Sequence, residues 1–264
     1  MKIYISADIE GICGIVDWEE TQLHSPSSSY FKEQMTKEVN AACIGANTLT
    51  PNDILIKDAH DSARSIIPYL LPENARILRG WTKDPLIMMA GIDEKFDASL
   101  YIGYHCGGSH NESPLSHTMS TTYDYIKING RVATEFMINA YTSIFYNTPV
   151  AFISGDEKVC DDAKELFPNI VTVGVSKGIG EASISIHPNL ALKRIEEGVK
   201  EALSGDLSRH IISLPEKFEI EIKFKQHKEA YFASFYPGVE AIDSQIIKFV
   251  TTDYYEFLRM LLFI

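Results

Sequence analysis

Asp8, Glu10, Asp58, His60, His105 and Glu135 are the residues of this chain whose types and spacing could do chemistry at one place. Asp8-Ile9-Glu10 ends a first short apolar run, Asp58-Ala59-His60 ends a second, and His105 ends the fourth. Residues two apart in extended chain point the same way, so Asp8 and Glu10 can share one face. Carboxylates mixed with imidazoles, without thiolates, suit zinc or manganese in a hydrolytic site. Each residue also has a plainer role. Asp8 can cap the segment that follows it, a helix dipole accounts for Glu135, and His60 or His105 alone fits a loop or core position. The joint pattern is more specific, because open parallel sheets gather ligands at the carboxyl ends of their strands.

The elements that must position these residues are legible in the hydrophobic pattern. Lys2 to Ala7 reads as a buried strand. Phe31, Met35, Val39, Ala42, Cys43 and Ala46 fall on one helical face, and Ile54-Leu55-Ile56 forms the next strand. Strand, helix, strand in that order is a βαβ unit, with parallel strands and a right-handed crossover. Ala75 to Leu78 and Ser99 to Tyr104 are read as further strands, with an apolar helix from Pro85 to Ala90 between them. Tyr123 to Val132 alternates about Asn129-Gly130, a hairpin signal. The helix after it opens with Glu135 and presents Phe136, Met137, Ala140, Tyr141, Ile144 and Phe145 as its buried face. Val150 to Ile153, Ile170 to Val175 and a helix over Asn189 to Leu203 continue the alternation.

From about Ser213 the texture changes. Phe218, Ile220, Ile222 and Phe224 alternate with charged residues, as in a half-exposed strand, followed by a short helix near Glu229 to Phe235, a strand near Ile246 to Val250 and a terminal helix. The expected architecture is α/β: a mostly parallel sheet core flanked by helices, with a smaller C-terminal α+β unit. Residues 1–210 form the catalytic, metal-binding α/β domain. Residues 211–264 form the small unit, packed on the core or at a subunit interface.

Composition narrows the partners. With 264 residues, 45% hydrophobic and 23% charged, the chain is an ordinary globular protein, and collagen, coiled coil and disorder are excluded. Lys plus Arg number 24 against 36 Asp plus Glu, a formal charge of -12, which argues against nucleic acid and anionic membrane as partners. No basic residues cluster beside the acidic motifs; Lys57 and Arg64 are the nearest. Cys13, Cys43, Cys106 and Cys160 are scattered, without a CxxC pair, and Cys43 fits the helical core stripe. The N-terminus turns acidic too early for a signal peptide, no run of 18 apolar residues occurs, and the reducing cytoplasm is the expected location.

Asp8-Ile9-Glu10-Gly11, Asp58-Ala59-His60, Gly103-Tyr104-His105, Ser116-His117-Thr118-Met119, and Glu135 with Asn139-Ala140-Tyr141 occur in this order at characteristic intervals. Together they resemble the zinc-dependent D-aminopeptidases associated with bacterial dipeptide-transport operons. The resemblance implies a pair of zinc ions per chain, with Asp8, Glu10, His60, His105 and Glu135 as ligands and Asp8 bridging. It implies that His117, which on its residues alone reads as a hydrogen-bonding loop histidine, is catalytic as an acid/base or nucleophile and is not a ligand. It also implies a ring-shaped homo-oligomer, a homodecamer of two stacked pentamers, acting on short peptides with an N-terminal D-residue, typically D-alanine. Asp58 is placed to orient a ligand imidazole from behind. The 106–116 loop is expected to line the substrate pocket, while His24 and His110 lie in polar loops and are read as exposed. The competing readings are a two-metal phosphoesterase and a non-catalytic, metal-stabilised peptide-binding protein.

Overall fold

The computed structural model describes residues 1–48, 50–93 and 95–264. In chain order its elements are β1 (Lys2–Ala7), α1 (Ser28–Asn47), β2 (Asp53–Asp58), β3 (Ala75–Leu78), β4 (Ala98–Tyr104), β5 (Tyr123–Ile128), β6 (Arg131–Val132), α2 (Glu135–Phe145), β7 (Val150–Asp156), α3 (Glu157–Leu166), β8 (Val171–Ile179), β9 (Ala182–Ser185), α4 (Pro188–Ser204), β10 (Phe218–Phe224), α5 (His227–Ala233), β11 (Val239–Ala241), β12 (Ile246–Thr251) and α6 (Tyr254–Phe263). β1 and β4 read as nearly continuous apolar runs because both of their faces are covered. Each lies between two parallel neighbours, with Ile5 opposite Ile56 on one side and Leu100 on the other. One face of β1, carrying Ile3 and Ile5, packs with Val39 and Ala42 of α1 and Ile195 and Val199 of α4. The other, carrying Tyr4, joins a core with Tyr101, Phe136, Ile220 and Phe257.

The larger sheet has the order β3-β2-β1-β4-β7-β8-β9, parallel throughout except for the edge strand β9. The chain walks outward from β1 to β3, then returns to β4 and walks outward on the other side. The order therefore reverses between β1 and β4, and in a doubly wound sheet that reversal opens a crevice at the carboxyl ends of the two strands. Asp8 and Glu10 leave β1 there, and His105 leaves β4 beside them.

A second sheet, antiparallel, has the order β11-β12-β10-β5-β6. Its hairpin β5–β6 turns on Asn129 and Gly130, both at positive φ (51° and 82°), as a two-residue primed turn requires. β10 pairs with β5 on one side and β12 on the other, so 123–132 and the C-terminal segment build one sheet. The alternation of β10 turns Phe218, Ile220, Ile222 and Phe224 inward. α6 buries Tyr254, Phe257, Leu258, Met260 and Leu261, so the apolar C-terminus is a core element.

Two expectations are corrected. Pro85 to Ala90 is not a helix but holds a single 3-10 turn over Ile87–Met89, with Ile87 at φ +47° and Gly91 at φ +87°. Its last carbonyls are tied to β1, Met88 O accepting from Ser6 Oγ (3.1 Å) and Ala90 O from Tyr4 OH (2.9 Å). Phe145, expected on the buried face of α2, is 38% exposed; it ends the helix beside Tyr146 and Tyr255.

Backbone contact between the 8–11 turn and the end of β4 is close. Asp8 N donates to Ile102 O and Gly11 N to Gly103 O, each at 2.8 Å. Gly103 has φ +73°, and a Cβ there would overlap the Asp8 carbonyl oxygen. Gly103→Ala is expected to cost roughly 3 kcal/mol, from strain plus displacement of the Asp8 turn. Denaturant unfolding checks this, and an unchanged midpoint would contradict it.

Candidate metal centre

Strand ends and one helix start deliver the site. Asp8 and Glu10 come from the turn after β1, His60 from the turn after β2, His105 from the end of β4 and Glu135 from the first turn of α2. Thr134 caps α2, its Oγ1 accepting from Met137 N at 3.0 Å, and its hydroxyl neighbour Thr118 ties the loop of His117 to the same place by donating to Ala133 O at 2.8 Å. Asp8, Glu10, His60, His105 and Glu135 are all buried.

Their ligand atoms form two groups that share Asp8. In one, His60 Nδ1 lies 3.0 Å from Glu10 Oε1 and 3.4 Å from Asp8 Oδ1. In the other, His105 Nε2 lies 3.4 Å from Glu135 Oε2 and 3.7 Å from Asp8 Oδ2. Within each group these atoms all lie within 4.8 Å of one another. His105 Nδ1 stands 2.9 Å from the Cys106 carbonyl. A carbonyl can only accept, so Nδ1 carries the proton and Nε2 turns its lone pair towards the carboxylates.

The electrostatics are those of a cation site. Burial alone would push the His60 and His105 rings down. Glu10 and Asp8 around His60, and Glu135, Glu10 and Asp8 around His105, more than reverse this, raising His60 well above the ordinary imidazole value and His105 to about 10. Burial alone would raise Glu135, yet His105 and His117 hold it down at about 2. Asp8 Oδ2, Glu10 Oε2, His60 Nε2 and His105 Nε2 are buried without a hydrogen-bond partner. Buried polar atoms normally have one, and orphaned atoms on two carboxylates and two imidazoles of one cluster fit a divalent cation.

His117 lies at the mouth of this cluster, 11% exposed, with Nε2 3.4 Å from Glu135 Oε1. Its Nδ1 stands 2.8 Å from Leu115 O, which puts the neutral lone pair on Nε2. The ring stacks on His105 with centroids 4.4 Å apart and meets Trp18 edge-on at 5.1 Å. Glu10, His105 and His117 also form a third group of ligand atoms, so distance alone admits His117 as a ligand too.

Asp58 is close by but does not bond to the His60 ring. Its Oδ2 accepts from Ile66 N at 2.8 Å and its Oδ1 has no partner, so it anchors the 59–66 loop that carries His60. His24 is exposed; His110 is half-buried beside Glu112 at 3.6 Å. Cys106 Sγ is buried, and its amide donates to Asp156 Oδ2 at 2.7 Å.

The cluster floors a cavity of about 340 Å³ that Trp18, Trp81, Asp61, Met88 and Met119 also line. A second, of about 520 Å³, adjoins it and includes Pro114, Leu115 and Ser116, so the end of the 106–116 loop does line a pocket. Both tryptophans of the chain are here, although no spacing rule pointed to either. Their rarity was the one signal available. Lys57, in contrast, is buried away from the cavity with Nζ donating to Asp58 O and Gly80 O, each at 2.8 Å, and Arg64 does not line it.

A doubly wound sheet with buried carboxylates and imidazoles at its switch point defines the class, a metal-dependent hydrolase. The chain belongs to the D-aminopeptidase family, peptidase M55, whose model matches residues 1–263. It is 29% identical over 243 residues to a D-aminopeptidase of Bacillus subtilis strain 168, covering 91% of this chain and 87% of that one. Its fold superposes with a TM-score of 0.91, at 27% identity, on a solved structure described as the Zn-dependent D-aminopeptidase DppA from Bacillus subtilis, a self-compartmentalizing protease; the match covers 99% of this chain and 96% of that one.

The paired shifts give the metal-free protein a pH signature. His105, raised to about 10, stabilises the fold fully below its ordinary 6.5, and that contribution is lost as pH climbs through 10. Glu135, lowered to about 2, stabilises above its ordinary 4.5, and that contribution is lost as pH falls through 2. Chelator-stripped protein should therefore melt highest between about pH 4.5 and 6.5. A thermal midpoint that keeps rising from pH 7 to 9 would contradict this.

Proposed function

We propose that the chain is a zinc aminopeptidase with two ions per chain, hydrolysing short peptides that begin with a D-amino acid, D-alanine above all. The observation that carries this reading is the pair of buried ligand groups sharing Asp8. Glu10 and His60 with Asp8 would hold one ion; His105 and Glu135 with Asp8 would hold the other. Zinc supplies Lewis acidity when bound, polarising the scissile carbonyl and making water a competent nucleophile near neutral pH. The D-specificity rests on the family and on the Bacillus subtilis relative.

The residues of the chain do the rest. His117 moves the proton: with Nδ1 committed to Leu115 O, its Nε2 takes a proton from water and returns it to the leaving amine. Glu135, bonded also by Met119 N at 2.7 Å, and the stacked His105 hold that ring in place. The carboxylates around the cavity attract the free α-amine of the substrate, and Trp18 and Trp81 narrow the space for water. Neither Lys57 nor Arg64 reaches the cavity, which favours a peptide over a phosphate ester.

We further propose a ring-shaped homo-oligomer, a decamer as the resemblance implies, working in the cytoplasm. The relative is itself described as self-compartmentalizing, Tyr231, Phe232 and Phe235 are each more than 60% exposed on and beside α5, and four buried free cysteines suit a reducing compartment.

His117→Ala should keep its zinc content by elemental analysis and lose about 10²- to 10⁴-fold in kcat towards D-Ala-D-Ala, with L-Ala-L-Ala as the control substrate. Lost zinc in that variant would make His117 a ligand instead. Asp8→Ala should lose both ions, and retention of two per chain would refute a bridging role.

A further inference from the structure

The two cavities differ in charge, the first acidic and the second carrying one lysine against one carboxylate. The first is lined by Asp8, Glu10, Asp61 and Glu135 and by no lysine or arginine. Trp18, His60, Asp61 and Thr121 line both cavities, so the second continues the first. Lys225 is the single lysine or arginine among the residues that line either.

Lys225 is uncommitted there. Its neighbours Lys223 and Lys228 pair with Asp124 at 2.8 Å and Glu229 at 3.8 Å, whereas Lys225 is in no ion pair among the described residues. Its backbone is fixed although its side chain is exposed: its amide donates to Thr122 O at 2.9 Å and its carbonyl accepts from Gln245 Nε2 at 2.9 Å. The root of the side chain thus sits at the end of β10, against the loop that leads on from His117.

We propose that the second cavity is the subsite for the C-terminal part of a short peptide and that Lys225 binds its free carboxylate. The inference rests on the peptidase reading above and adds how such an enzyme selects length. A free di- or tripeptide is positive at one end and negative at the other. The acidic cavity takes the amine end, and the carboxylate, repelled by a chain of net charge -12, needs a local cation at the other. Gln22 and Ser116 add polar groups to the same wall. Peptides with a blocked or distant carboxylate forfeit the contact, so a charge at each end of one trough favours short, unblocked peptides over long ones.

The test compares D-Ala-D-Ala with its C-terminal carboxamide on the zinc-loaded enzyme and on Lys225→Met and Lys225→Arg, a position exposed enough for either to fold. The wild type should favour the free acid about tenfold in kcat/KM, through KM with kcat unchanged, and the preference should shrink at high salt. Lys225→Met should abolish it, by lowering only the acid, and Lys225→Arg should restore most of it. A non-hydrolysable ketomethylene isostere of the dipeptide, as acid and as carboxamide, should show the same difference in Kd by calorimetry. Equal handling of acid and amide by the wild type, or a preference that survives in Lys225→Met, overturns the role of Lys225 and leaves the peptidase reading intact. Absence of any peptide turnover overturns the peptidase reading instead, and the isostere then still decides whether Lys225 reads a carboxylate.

Discussion

Asp8, Glu10 and Glu135 are buried side by side, and that concentration of negative charge is stable only when positive charge shares the space. Two imidazoles supply part of it, and their raised pKa values express how strongly the carboxylates demand it. The remaining orphaned atoms are the part that protons on histidines leave unmet. Divalent positive charge held among these ligand atoms is what the distances suit.

The scaffold exists to keep those charges from moving apart. Ser6 Oγ and Tyr104 OH are 2.7 Å apart, and Asn139 Nδ2 donates to the same phenol at 2.9 Å, so β1, β4 and α2 are locked by one buried polar network directly beneath the cluster. Asn139 stands one helical turn after Glu135, so the network also sets the depth of that carboxylate. On the other side Asp156 caps α3 through Val159 N at 2.7 Å while holding the Cys106 amide, which steadies the chain immediately after His105. The β8–β9 hairpin reaches over to the 106–117 loop through Gly178 N to Glu112 O and Gly180 N to Asn111 O. His117 is thus mounted on a loop tied at both ends, whereas Asp8, Glu10, His60 and His105 sit at strand ends.

The fold was readable wherever burial is two-sided or strictly alternating. β1, β2 and β4 stand out as apolar runs because both of their faces are covered, and β10 as an alternation because one face meets the core. The misread segment was 85–90, where apolar residues at helical spacing are held as a turn by hydroxyl groups from a strand more than 80 positions earlier. Asp58 was placed next to the right residue but bonds to Ile66 N, because the loop turns back at Asp61 and Ala63, both at positive φ.

Residue types and order alone determined that Asp8, Glu10, His60, His105 and Glu135 stand at the ends of elements, since strand runs stop where polar side chains begin. Only the tertiary structure decided that these ends meet, because the reversal of strand order between β1 and β4 is a long-range pairing with no local signature. The same holds for Trp18, Trp81 and Lys225: each lies in an irregular segment or at an element's end, where no periodicity constrains direction, and each acquires a place only when the chain folds over the cavity. Local sequence encodes which face of an element is buried; which elements share a wall depends on packing between residues far apart in the chain.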